Sequence, residues 1–483
     1  MSFQFMGLIT LVAGLIILAA PVTWAFPVMV LSTAFGAAAA IGLPALGGAS
    51  VLVPSLFLVF FTLRVFMACG EGQMLTALAP GRPGFWLLAL TAFGLLSAIW
   101  FPRLFEGMTE TMTVERVAGA RNVIALTPLR FTSNNITQSV YALGGLVCFA
   151  ATFAYFRHAG RPEHLVKAIL AVAMLDLSFA FADVLTYFTG TEYLMSFVRT
   201  ANYAMLTAAE KGGLKRISGS FPEASAFSEY TLVLFGVTAS LWLDRVKTGK
   251  TGIVAALLLA ALLLSTSATA LIGVSIVLTL LWIRTAVTSM HTPGTGRPAF
   301  LVVSLAVIPA IALTLATLFP AATDSLQDFM HEMLLSKADS QSGRERGMWN
   351  AMAYQAFLDT FGWGAGLGSA RASSYLLVLM SNLGVLGVVL FAIFTGTVLL
   401  SPSPSTHQGV EDVTAATIRA AKIGLVSVLA AALVSGTVYD LGMMFFVLAG
   451  SAVALGASRL PAATPLYSTT PGRHHHPAPE SVR

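Results

Sequence analysis

Long apolar runs separated by short polar breaks dominate the chain. They recur near residues 5–20, 25–44, 50–68, 84–101, 138–156, 166–187 and 225–243. They continue near 251–266, 268–284, 299–319, 374–400, 419–436 and 440–458. A membrane-spanning helix needs about 20 apolar residues, with a range of about 17 to 25. The pattern predicts an all-α fold, a polytopic membrane protein with about 12–13 transmembrane helices. The pair over 251–284 is short for two spans. Ser265, Thr266, Ser267 and Thr269 lie at the pinch, so either two short helices meet there or one long tilted helix crosses alone.

Composition removes the soluble alternatives. Of 483 residues, 56% are hydrophobic and 10% charged, against about 25% charged in ordinary soluble chains. Mean hydropathy is +0.81. A soluble core cannot hide that much apolar surface, so lipid is the solvent for most of the chain. Disordered, disulfide-stapled and nucleic-acid-binding classes are excluded on the same grounds. Cys69 and Cys148 adjoin or sit within apolar runs and are expected to be packing residues. Met1 to Phe5 carries no Lys or Arg, so the first run reads as a retained span and not as a signal peptide. The expected organisation is one membrane domain over 1–462, including an outer loop at 320–373, and a flexible cytoplasmic tail over 463–483. His474, His475 and His476 fall in that tail and read as solvated.

Charge sets the orientation. Arg157 and Arg161, then Arg245, Lys247 and Lys250, then Arg284 and Arg297 occupy short basic loops. Short basic loops stay in the cytoplasm. The loop near 401–418 and the tail join them. Alternation then places the longer loops 102–137, 188–224 and 320–373 outside, provided that 251–284 counts as two spans. The side of the first four runs stays open, because their loops carry almost no charge. The outer loops hold Arg116, Arg121 and Arg130; Arg199, Lys211, Lys215 and Arg216; and Lys337, Arg344, Arg346 and Arg371. Basic residues gathered outside call for either an anionic ligand or plain solvation.

Three constellations could carry chemistry. In the third loop, Arg344 to Phe361 has helical spacing, with Trp349, Met352, Ala353, Ala356 and Phe357 on one stripe. Ser342 reads as the N-cap and Glu345 as its capping-box partner. That puts Arg344 in the first turn, where a guanidinium opposes the helix dipole but suits a phosphate. The alternative is a surface Arg paired with Asp339 or Glu345. Gly362, Gly364, Gly366 and Gly368 follow. No strand precedes them, so a dinucleotide site fails on context, and they read as a connection over the outer mouth of the bundle. In the second loop, Glu223 and Glu229 flank the start of a span; each is a candidate general base or an interfacial carboxylate. Asp176 and Asp183 share one face of an apolar run and would suit a proton-coupled transporter. Arg64 sits near a span end, where snorkelling accounts for it.

The order of these motifs resembles the O-antigen ligase and O-antigen or exopolysaccharide polymerase superfamily of bacterial inner membranes. The features are the Arg216–Glu223 block before a span, Ser265-Thr266-Ser267-Ala268-Thr269 and Ser342-Gly343-Arg344 with Trp349. They continue with the glycine segment, Tyr375-Leu376 and Asn382-Leu383-Gly384-Val385-Leu386-Gly387. As motifs they cover roughly residues 200–400. The resemblance implies a glycosyltransferase acting at the periplasmic face on undecaprenyl-diphosphate-linked oligosaccharide. The residues themselves call for no metal or other cofactor, because two or three arginines can bear the charge and the outer loops hold no D-x-D cluster or His-rich ligand set. Arg216 and Arg344 would hold the diphosphate, with Arg346 and Arg371 beside them. Glu223 or Glu229 would take the acceptor proton, and Ser373 is the third candidate catalytic residue. The ligase branch carries a histidine where this chain has Ser373, and the nearest loop histidine, His331, lies well upstream. That departure favours a polymerase over a ligase that moves finished glycan to a lipid or protein acceptor. A flippase or transporter is the alternative of another class. Membrane lipid is an expected partner, and a chain-length regulator is another, although no motif for one stands out.

Overall fold

The computed structural model describes residues 2–43, 49–115, 123–202, 205–211, 214–291, 298–304, 341–402 and 413–457. Most of the expected span near 299–319, the stretch 320–340 with His331 and Lys337, Arg116, Arg121, Arg297 and the tail 463–483 lie outside these.

Helices dominate the described residues. They are α1 (Phe5–Ala19), α2 (Val22–Ser32), α3 (Val53–Ala77), α4 (Pro83–Leu104) and α5 (Ser133–His158). Then come α6 (Pro162–Thr189), α7 (Ala224–Leu243), α8 (Thr248–Leu264), α9 (Ala268–His291) and α10 (Pro298–Val302). The last four are α11 (Gln341–Asp359), α12 (Tyr375–Leu399), α13 (Val413–Ser435) and α14 (Met443–Ala457). Eight of them are long and apolar enough to cross a membrane: α3 to α7, α9, α12 and α13. The apolar helices α1, α2, α8 and α14 are shorter. The chain is thus a multi-pass, mostly helical membrane protein. The pinch at 265–267 separates α8 from α9, so two helices meet there.

The second apolar run departs from expectation. Residues 25–44 do not form one helix. The chain leaves α2 after Ser32 and returns as β2 (Ala39–Leu43), which pairs antiparallel with both β1 (Ser2–Phe3) and β3 (Ala49–Leu52). The turn between is fixed by long-range contacts. Ala37 N–H donates to Ser220 O at 3.0 Å, and Gly36 lies under the Phe221 ring, where a Cβ would come within 2.3 Å. Two hairpins, β4–β5 (Glu110–Glu115 with Val123–Pro128) and β6–β7 (Glu210–Lys211 with Leu214–Lys215), add further small sheets. The all-α expectation missed these because short strands in polar loops leave no hydropathy signal.

Burial ranks the helices. In α7, 78% of the apolar window is buried, against 33% in α3 and in α9, so α7 is central and the others face outward. Close packing at the centre uses small residues, as helices in lipid require. A Cβ on Gly145 would meet the Phe446 ring at 2.5 Å, and one on Gly424 would meet Val237 at 2.6 Å. Phe26 stacks on Tyr155 at 4.9 Å and meets Phe156 edge-on. Cys148 is buried in this core and Cys69 is half-buried; both are free thiols, as expected of packing residues.

The bundle has two chemically different ends. At one, Asp244 accepts hydrogen bonds from both Arg284 and Arg419, tying α7, α9 and α13 together. Arg82 lies over the Phe153 ring near the same end of α5. The described parts of the short basic loops of the sequence reading lie at this end. The other end, the loop end, holds the described parts of the three longer loops.

Candidate functional site

At the loop end, the block Lys215–Phe221 is shaped by one buried carboxylate. Asp183, near the C-terminus of α6, is 2% exposed. Its Oδ1 accepts Arg199 Nη2 at 2.6 Å. Its Oδ2 accepts the Ser218 and Gly219 N–H groups at 2.8 and 3.1 Å, Ser218 Oγ at 3.2 Å and Lys215 Nζ at 3.3 Å. Asp183 is therefore fully engaged, not a free intramembrane acid. Sequence reading singled out Asp183, Arg199 and Lys215 separately. Nothing in the sequence pairs them.

Arg216 stands on this turn. Its N–H donates to Ala209 O at 3.0 Å, and its carbonyl accepts Lys215 Nζ at 2.9 Å. The side chain is less constrained, since its buried Nε has no hydrogen-bond partner among the described residues. Burial pulls the guanidinium below its ordinary value; Glu223 opposes that shift and Arg346 adds to it. Burial likewise lowers Lys215, against the pull of Asp183. The electrostatic coupling matters more than the shifts themselves. It brings Arg346, from a distant segment, within electrostatic reach of Arg216 and its near neighbour Glu223.

Glu223 is the N-cap of α7, with extended backbone geometry, and its carboxylate accepts Ser225 Oγ. Glu229, less than two turns further along α7, accepts Ser435 Oγ from the end of α13 and feels both Glu223 and Arg346. Both carboxylates of the sequence reading thus join the cluster. Behind them, Ser228 Oγ meets Ser265 Oγ at 3.1 Å. The Ser/Thr block is therefore the buried turn between α8 and α9, packed against α7. Thr266 has φ +49° there.

The third loop contributes differently from expectation. α11 begins at Gln341, so Ser342 lies inside the helix and is not its N-cap. Arg344 moves past the first residues and is exposed, whereas Arg346 is half-buried and is the arginine that acts on Arg216 and Glu229. The apolar stripe is as expected: Ala353 and Ala356 are buried, with Trp349, Met352 and Phe357 half-buried. One turn beyond Arg346, Asn350 Oδ1 accepts the Ser373 N–H at 2.7 Å. Ser373 is buried, and Arg371 is half-buried in the segment entering α12.

The glycine segment is not a cover over the mouth. Gly364, Ala365, Gly366 and Leu367 are buried, threaded between α4, the start of α5 and a break in α12. The break is Gly384, with φ +62°. It frees backbone groups that lipid cannot satisfy, and the segment satisfies them. Ala365 N–H donates to Ser381 O at 2.7 Å, Gly366 N–H to Asn382 O at 2.9 Å, and Val385 N–H to Gly362 O at 3.0 Å. The Asn382 side chain clasps the segment as well. It accepts from Gly368 N–H at 2.9 Å and donates to Ala370 O at 2.9 Å. Asn135 Nδ2 donates to Leu367 O at 2.8 Å from the other side. Only glycine fits at Gly364, where a Cβ would lie 2.7 Å from the α12 backbone.

Among the described residues, no three His, Cys, Asp or Glu side chains group closely enough to hold a metal ion. What the loop end offers is two arginines with two carboxylates, set on anchored backbone. That arrangement can bind an anion and move a proton. No protein-family model matches the chain, and no curated protein matches it.

Proposed function

We propose that the protein is a glycosyltransferase of the bacterial inner membrane. It polymerises undecaprenyl-diphosphate-linked glycan at the periplasmic face, which in this reading is the loop end. One observation carries the reading: at that end of an otherwise apolar bundle, Arg216 and Glu229 each lie within electrostatic reach of Glu223 and Arg346. A lipid-linked sugar diphosphate is an activated donor, so the enzyme must stabilise the leaving diphosphate and orient the acceptor. Arg216 and Arg346 bear the growing phosphate charge in a water-poor setting. Glu223 or Glu229 takes the proton of the attacking hydroxyl. The acceptor oxygen bonds to the anomeric carbon as the bond from that carbon to the diphosphate breaks.

The test is the size of undecaprenyl-linked glycan in cells lacking the protein, with rescue by variants. Arg216→Ala and Arg346→Ala should each leave single repeat units facing the periplasm, with polymer reduced about a hundredfold or more. Arg344→Ala should rescue nearly as well as the unaltered protein. Long polymer stranded on the lipid would replace this reading with a ligase. Single units trapped on the cytoplasmic face would replace it with a flippase. Rescue by Arg216→Ala and Arg346→Ala alike would remove the clamp.

A further inference from the structure

We propose that Asp183 is the positioning residue of the diphosphate site: it builds the 215–219 turn and so aims Arg216. This rests on the reading of Arg216 as an anion-binding residue.

The geometry is specific to that task. One carboxylate oxygen collects two consecutive backbone N–H groups, from Ser218 and Gly219, the concave arrangement by which main chain holds anions. The Gly219 peptide group is gripped on both sides, because its carbonyl accepts Arg199 Nε at 3.0 Å while its N–H donates to Asp183. Gly219 has φ +54°, a conformation glycine adopts without steric cost. Lys215 reaches from Asp183 to the carbonyls of Thr207 and Arg216. The backbone on both sides of the Arg216 side chain is thereby fixed from Asp183.

Two features separate this from simple packing. A buried ion cluster is a poor source of stability, since apolar side chains of similar volume do as well or better. A device that orders a loop accounts for its presence. In addition, the ion pairs of Asp183 go to Arg199 and Lys215 and not to Arg216, so Asp183 orders the turn without occupying the Arg216 guanidinium.

The test uses the full-length protein in lipid nanodiscs. Hydrogen exchange is followed at the Ser218 and Gly219 amides, and binding is measured with undecaprenyl diphosphate as the probe. Asp183→Asn should speed exchange at these two amides about tenfold or more while the rest of α6 and α7 stays protected. It should weaken binding about tenfold, and cause no further weakening when combined with Arg216→Ala, because both act through one group. Lys215→Met keeps the Asp183–Arg199 pair and should move both readouts the same way by a smaller factor, which covers failure of Asp183→Asn to fold. Unchanged exchange at Ser218 and Gly219 in both variants overturns the positioning role. Exchange that rises throughout the bundle overturns it too, by making Asp183 a general stability group. Additive losses in the double variant break the link to Arg216. Full binding by Arg216→Ala overturns the functional half, and it does so independently of the exchange result.

Discussion

Asp440 sits in the turn between α13 and α14, where Gly442 N–H donates to its Oδ1 at 2.9 Å. Burial pushes its carboxyl up to about 6, against the pull of that hydrogen bond. In the unfolded chain it titrates near about 4. Between these values the folded protein keeps a proton that the unfolded chain has lost, so this group's contribution to stability falls as pH rises from about 4 through about 6. Asp440→Asn keeps an acceptor for Gly442 and removes the titration. It should flatten that slope and raise the unfolding midpoint at pH 7.5 by about 2 to 4 °C. Thermal scans in detergent from pH 4 to 8 measure this, and equal slopes in both proteins would refute it. Asp440 gives no sign of itself in the sequence, where it is a single polar residue at the edge of the last apolar run. Glu223 and Glu229 do, because both stand at the entry to a span. Asp183 also stood out, but for the wrong chemistry: its partners Arg199 and Lys215 reach it only through the folded loop.

At the scale of elements, α12 and the glycine segment form one unit. The break at Gly384 and the threaded residues 362–369 satisfy each other's backbone groups. Gly384→Ala would put a Cβ 2.1 Å from Gly362 O at a φ of +62°. We expect it to cost about 2 kcal/mol or more, summing left-handed strain of about 1 to 2 kcal/mol with the clash. Gly396→Ala, on the same helix with nothing within 4 Å of the new Cβ, should be neutral or stabilising by up to about 1 kcal/mol. Denaturation of the two variants side by side decides the point; equal stability would mean the threaded segment is not a structural tie. The alternating glycines are plain in the sequence. Their use is not, because spacing shows that a close approach is permitted but not which backbone approaches. The same limit moved the start of α11. The cap read at Ser342 was locally sound, yet the helix begins at Gln341; on it Arg346 is half-buried and acts on Arg216 and Glu229, whereas Arg344 is exposed.

On the scale of the whole molecule, charge segregates along the bundle. Asp244 with Arg284 and Arg419 marks the basic end; Arg216, Arg346, Glu223 and Glu229 mark the other. Exposed residues on the two ends should therefore label from opposite sides of the membrane. Glu106→Cys and Lys250→Cys, each in a background carrying Cys69→Ala, provide the test with a membrane-impermeant maleimide in intact cells. Glu106→Cys should label and Lys250→Cys should not. Labelling of both or neither would show that the two ends do not lie on opposite faces, and the reverse pattern would invert the proposed orientation.

Hydropathy is a local property, and so the sequence by itself determined the membrane class, most helix positions and the division into basic short loops and longer charged ones. Each follows from whether a stretch of about 20 residues prefers lipid to water. The tertiary structure alone decided which charges meet. Arg199 and Lys215 converge on Asp183, and Arg346 comes within electrostatic reach of Arg216, because packed helices bring distant segments to one end of the bundle. It also decided that a run such as 25–44 divides into a short helix and a strand. There the gain comes from hydrogen bonds and packing with Ser2, Ser220 and Phe221, partners that no window along the chain contains.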